Sequence, residues 1–69
     1  MSGFTAVGRS ERTRRTWERD GFDTAEAAAR ELIMLLRKAG LSAEAEDDTT
    51  RRLVEGESVR FGGFVYFVR

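Results

Sequence analysis

Side chains that could support catalysis are few in this 69-residue chain, which contains no Cys and no His. Thiol and imidazole nucleophiles, the usual general base and the common zinc and haem ligand sets are therefore absent. The densest group of carboxylates is Glu44, Glu46, Asp47 and Asp48. Such oxygen ligands can bind Mg²⁺ or Ca²⁺, but the group lacks the ligand spacing of a calcium loop. Solvated charge is the alternative interpretation, and we expect neither a metal nor a cofactor.

The only lysine, Lys38, falls in the last turn of a predicted helix. Nothing there would desolvate its ammonium group, as a catalytic lysine requires. The sequence also lacks the phosphate-loop pattern G-x-x-x-x-G-K-[ST] and the dinucleotide fingerprint G-x-G-x-x-G. A chain this short has little room to enclose a substrate pocket. We therefore interpret the protein as non-catalytic.

Charge is balanced overall, with 12 basic and 12 acidic residues. No net field therefore attracts nucleic acid or an anionic membrane. The local distribution is uneven, because residues 9–19 are mainly basic and residues 44–57 are mainly acidic. The acidic candidates for partner binding are Glu44, Glu46, Asp47, Asp48, Glu55 and Glu57.

The end signals and the apolar spacing of residues 23–40 predict one helix. Asp23 and Glu26 fit a capping box, and Gly40 follows the last turn. A buried stripe is predicted at Ala25, Ala28, Ala29, Leu32, Leu36 and Ala39. Met34 lies on the opposite face, where it is either an isolated surface residue or an adaptable anchor for a partner.

The rest of the chain is predicted to form strands. Candidate strands are residues 4–7, 12–19, 42–46 and 51–55, followed by one long final strand that comprises residues 58–61 and 64–68. Gly62-Gly63 predicts a bulge or bend within this final strand. The expected fold is a single two-layer α+β domain, residues 1–69, with one helix on an antiparallel sheet of four to five strands in the order β-β-α-β-β-β.

The last predicted strand, residues 64–68, is apolar on both faces, whereas one helix can cover only one face of a sheet. The second face, or the edge of residues 64–69, would then be open to a second copy. We expect a homodimer whose contact residues include Phe64, Tyr66, Val68 and Met34.

The basic segment carries the other candidate surface, whose residues are Arg12, Arg14, Arg15, Trp17 and Arg19. In a strand, Arg15, Trp17 and Arg19 would share one face. If Trp17 points outward, this group can stack on bases or anchor a protein interface. If it points inward, Trp17 is the largest residue of the core.

Residues 16–28, Thr-Trp-Glu-Arg-Asp-Gly-Phe-Asp-Thr-Ala-Glu-Ala-Ala, resemble the strand, turn and helix start of the arm-binding domains of phage tyrosine integrases. That resemblance implies contact with DNA through the sheet. In size, charge and lack of catalytic residues, the chain also resembles the small accessory proteins of phages and mobile elements, including anti-CRISPR inhibitors. This second resemblance implies stoichiometric masking of a protein or nucleoprotein, with the acidic segment imitating phosphates.

We therefore expect a binding protein that masks a macromolecular partner, with a small nucleic-acid-binding module as the alternative. No apolar run approaches the ~20 residues needed to cross a bilayer, and the N-terminus lacks the pattern of a signal peptide. The expected location is the cytoplasm.

Overall fold

The computed structural model describes residues 3–69, which form a four-stranded antiparallel sheet and two helices. In chain order the elements are β1 (Phe4–Ser10), β2 (Thr16–Phe22), α1 (Ala25–Ala39), α2 (Ala43–Val54), β3 (Val59–Phe61) and β4 (Phe64–Val68). The strand order is β2-β1-β4-β3, and every neighbouring pair is antiparallel. The α+β class is therefore confirmed, but with two helices and four strands.

Helix α1 carries most of the predicted buried stripe: Ala28, Ala29, Leu32 and Leu36 are fully buried, whereas Ala25 is half-buried and Ala39, in the last turn, is exposed. Its N-cap is Thr24, whose Oγ1 accepts a hydrogen bond from the Ala27 N–H at 3.0 Å, and not the Asp23 capping box that the sequence suggested. Gly40 ends the helix at φ 111°, a left-handed conformation that glycine adopts without steric cost.

Helix α2 replaces the strands predicted at residues 42–46 and 51–55. The alternation of Ala and Glu imitates the period of a strand, but both residues favour helices and are depleted in strands. Thr49 and Leu53, one helical turn apart, are the buried positions of α2. Acidic residues in the first turn and basic residues in the last turn complement the helix dipole.

The core lies between the sheet and both helices, which pack on the same face. Tyr66 and Val68, predicted for self-association, belong to this core and are only 7% and 8% exposed. Their assignment to an open face was wrong because they lie on the face that both helices cover, and an apolar run on both faces does not show which alternate residues point to the helices. Phe64 and Met34 remain exposed.

Residues 64–66 have no open edge either, because β4 pairs there with β1 on one side and with β3 on the other. The outer face of the sheet, away from the helices, carries Val7, Val65 and Phe67, which alternate with core residues along their strands. Val7 is only 2% exposed although no helix lies over it. An ion pair of 2.7 Å between Glu18 and Arg69 joins the strands on either side of β1. The apolar stems of such long polar side chains can cover an apolar residue such as Val7. Self-association of the chain stays a prediction.

Candidate nucleic-acid interface

An aromatic platform is built over Gly8, which lies on the helix-facing side of β1. Gly8 pairs with Trp17 of β2 on one side and with Tyr66 of β4 on the other. A Cβ atom at Gly8 would lie 3.3 Å from Tyr66 Cε1 and 3.6 Å from Trp17 Cε3. Glycine therefore gives the space in which rings from both neighbouring strands approach each other across β1.

Phe64 extends the platform, because its ring stacks on that of Tyr66 with centroids 6.0 Å apart and planes inclined by 21°. We define the aromatic platform as Trp17, Tyr66 and Phe64. Burial raises the pKa of the Tyr66 hydroxyl above its usual value. Trp17 and Phe64, in contrast, are 38% and 42% exposed, so the two ends of the platform are accessible.

The orientation of the Trp17 side chain, which the sequence left open, has features of both the inward and the outward alternative. Trp17 faces the helix side of the sheet, because it stands over Gly8 together with the core residue Tyr66. Its ring is nevertheless partly exposed, and only Leu35 of α1 joins Gly8 and the platform around a hollow of about 340 Å³. Trp17 is thus part of an open surface at one end of the sheet.

The loop between β1 and β2, residues 11–15, is held against this end of the sheet by hydrogen bonds. Ser10 Oγ accepts from the Thr13 N–H at 3.3 Å, and the Ser10 carbonyl accepts from the Arg14 N–H at 2.9 Å. The Glu11 N–H donates to the Gly63 carbonyl at 2.9 Å. This last bond ties the loop to the turn between β3 and β4, so that two turns meet at the platform.

Between these turns lies a cleft of about 670 Å³, which we name the aromatic cleft. It is lined by Gly8, Ser10, Arg12, Thr13, Arg15, Thr16, Trp17, Gly62, Gly63 and Phe64. Arg12 and Arg15 therefore line the same cleft as the exposed rings of Trp17 and Phe64. Guanidinium groups beside aromatic faces suit ligands that combine phosphate with a flat ring.

The arginines at this end are not neutralised by the described chain. Within residues 3–69, no carboxylate lies within ion-pair distance of Arg9, Arg12, Arg14 or Arg15. Arg19, predicted to belong to the same surface, instead donates to Glu31 of α1 at 2.7 Å. Arg12, Arg15 and Trp17 are thus brought together, and Arg19 is separated from them.

Four of the six acidic candidates take part in ion pairs with arginines of α1 and α2. Glu46 accepts two hydrogen bonds from Arg37, at 2.6 and 2.7 Å, which lower the pKa of Glu46 and raise that of Arg37. Asp48 and Glu55 both pair with Arg51, whose pKa they raise.

Glu57 pairs with Arg52 at 3.1 Å. Of the six predicted residues, only Glu44 and Asp47 have no ion pair within the part of the chain that the structure describes. Residues 3–69 also contain no group of three potential metal-ligating side chains. Partner binding by the acidic segment stays a prediction.

Three features of the site escaped the sequence reasoning. Gly8 could have been recognised, because a lone glycine within a strand pattern signals the close approach of other groups. The contribution of Gly62 and Gly63 to the cleft depends on their meeting the β1–β2 loop, which no local pattern reveals. The same holds for Leu35, which a helical stripe assigns only to the general core.

No protein-family model matches the sequence, and comparisons with curated proteins and with solved structures found no match. No helix within residues 3–69 has the length and apolar character needed to cross a membrane.

Proposed function

We propose that the protein is a non-catalytic binding module for single-stranded nucleic acid and that the aromatic cleft is its binding site. One observation carries the proposal: Arg12 and Arg15, which have no carboxylate partner in the described chain, line the same cleft as the exposed rings of Trp17 and Phe64. Phosphates would be contacted by the arginines, and bases would stack on the rings.

A single strand suits this site better than a duplex. Stacking on a protein ring requires an open base face, which a single strand presents and a duplex keeps within its own stack. Each stacked base contributes about 1–3 kcal/mol, with little dependence on its identity. Phosphate contacts by two arginines would give a shallow salt dependence, with a log–log slope of about −1.4. We therefore expect modest affinity without strong sequence preference.

Trp17 provides the assay, because it is the only tryptophan in the chain and a base stacked on it should quench its fluorescence. Single-stranded oligonucleotides are titrated at several salt concentrations against the wild type, Arg15→Ala and Arg30→Ala. Arg30 is the matched control: it is exposed, lies on α1 away from the cleft and has no ion pair within residues 3–69.

Both variants lose one positive charge, so a general effect of charge would weaken them equally. We expect Arg15→Ala to bind about tenfold more weakly, because one charge-assisted contact is worth about 1.5 kcal/mol, and Arg30→Ala to bind like the wild type. Equal losses in the two variants, or no binding of a single strand at micromolar protein in about 50 mM salt, would refute the proposal.

Masking of a macromolecular partner, in the manner of an anti-CRISPR inhibitor, stays a prediction. Masking by phosphate mimicry through the acidic segment is the less favoured form of this prediction. A partner would have to displace Arg37, Arg51 and Arg52 from their carboxylates. If masking occurs, the aromatic cleft is the surface that we propose for contact with a nucleoprotein. The phage origin, the cytoplasmic location and the homodimer likewise stay predictions.

A further inference from the structure

Two further arginines of the basic segment lie on the side of the β1–β2 loop that faces away from the aromatic cleft. This loop is the tip of the hairpin formed by β1 and β2. Arg9 and Arg14 line a hollow of about 230 Å³ together with Ser10, Glu11 and Val65. Val65 precedes the core residue Tyr66 and pairs with Arg9, so this hollow belongs to the outer face of the sheet. The β1–β2 loop therefore distributes its arginines over both faces, with Arg12 and Arg15 on the helix side.

The backbone of Arg14 explains how adjacent arginines come to lie on opposite sides. Its φ is 64°, and it is the only non-glycine residue with a positive φ in residues 3–69. At five other positions of positive φ the chain has glycine, the residue that adopts this conformation most readily. A long cationic side chain at this turn position is therefore an exception that stability does not explain, and such outliers point towards function.

The hollow is available to an anion. Glu11, its one carboxylate, pairs with Arg60 at 2.9 Å, which compensates its charge. The Nε atom of Arg9 lies 3.5 Å from Thr16 Oγ1, a long hydrogen bond that leaves the rest of its guanidinium group for a ligand. Arg9 and Arg14 are both exposed.

We infer that Arg9 and Arg14 form a second phosphate-binding site, so that a strand bound in the aromatic cleft crosses the hairpin tip and continues on the outer face. This inference rests on the proposed function and deepens it: the ligand is a single strand long enough to place phosphates on both faces. Short strands would occupy the cleft alone.

The test compares two oligothymidylates of about 3 and about 12 nucleotides, which bracket the lower range of sites on single-strand-binding folds. Fluorescence titrations use the wild type, Arg14→Gly and Arg30→Ala. Arg14→Gly removes the side chain and suits the positive φ, so the fold is expected to be at least as stable as the wild type. If Arg14→Gly nevertheless fails to fold in a thermal melt, Arg14→Asn, which also tolerates this conformation, takes its place.

We expect Arg14→Gly to bind the short strand within about twofold of the wild type and the long strand about tenfold more weakly. Its salt slope with the long strand should become shallower by about 0.7, the value for one lost phosphate contact on single strands. Arg30→Ala should change neither value.

Equal binding of the long strand by Arg14→Gly and the wild type would overturn the second site while leaving the cleft intact. A loss of the same size for both strands would also overturn it, because Arg14 would then act through the cleft. If the wild type binds neither strand, the proposed function itself fails.

Discussion

Substitution of two neighbouring aromatic residues of β4 tests which face of the sheet holds the core. Tyr66 lies between the sheet and the helices and is 7% exposed, whereas Phe67 is half-buried on the outer face. Burial of an aromatic side chain removes about 150–250 Å² from water, which at ~25 cal/mol per Å² is about 4–6 kcal/mol. Replacement of such residues by alanine costs about 3–5 kcal/mol. We expect Tyr66→Ala to lose about 4 kcal/mol and Phe67→Ala, whose ring is only partly removed from water, about 1–2 kcal/mol.

The measurement is urea unfolding followed by far-UV circular dichroism. Tryptophan fluorescence is unsuitable, because the ring of Trp17 lies near Tyr66 and its emission would respond to the substitution itself. The total stability of a domain this small is about 3–10 kcal/mol. If Tyr66→Ala is unfolded without denaturant, Tyr66→Leu, with an expected loss of about 2 kcal/mol, replaces it. Tyr66→Phe is the matched control and should change stability by less than about 0.5 kcal/mol, because the aromatic packing is kept. A larger loss for Phe67→Ala than for Tyr66→Ala would refute the assignment of faces.

Two further predictions concern the first helix and the hydroxyl group of Tyr66. Thr24→Ala should lower the free energy of unfolding by about 1 kcal/mol, because it removes the hydrogen bond to the Ala27 N–H; Ser42→Ala, at an N-cap without a side-chain hydrogen bond, should cost less, and equal losses in urea unfolding would contradict the role of Thr24. The raised pKa of Tyr66 means that the folded state resists ionisation. The stabilisation is therefore complete below the unfolded pKa of about 10 and is lost as the pH rises towards the folded value. Thermal melts from pH 9 to 11 should show a fall that Tyr66→Phe reduces, and identical profiles would disprove the link.

Sequence reasoning reached α1 and the α+β class because those features depend on local signals. The stripe from Ala28 to Leu36 has an unambiguous helical period, and Gly40 marks its end. The same reasoning failed for α2, where Ala and Glu alternate over residues 43–46. Propensity should have outweighed period there, because residues 43–54 contain few of the branched or aromatic residues that strands favour.

The error about Tyr66 and Val68 has a different cause. Residues 64–68 are apolar on both faces, so their pattern does not show which alternate set lies under the helices. Both helices pack on the face that carries Tyr66, and the face without a helix carries Val65 and Phe67 instead. The cleft could be foreseen only in part. Its arginines and Trp17 are adjacent in sequence, but Phe64 reaches them through the pairing of β1 with β4 across more than fifty residues.

A chain with no net charge can still offer a cationic site, because its ion pairs remove charge unevenly. The acidic side chains nearest in sequence that have no ion pair within residues 3–69 are Asp20, Asp23 and Glu26. They lie towards the other end of β2, a strand of seven residues that spans about 20 Å. Screening at about 0.1 M salt has a length of about 10 Å. A phosphate at the hairpin tip would therefore respond to the local arginines and only weakly to these carboxylates, so the balance of 12 basic and 12 acidic residues does not argue against nucleic-acid binding.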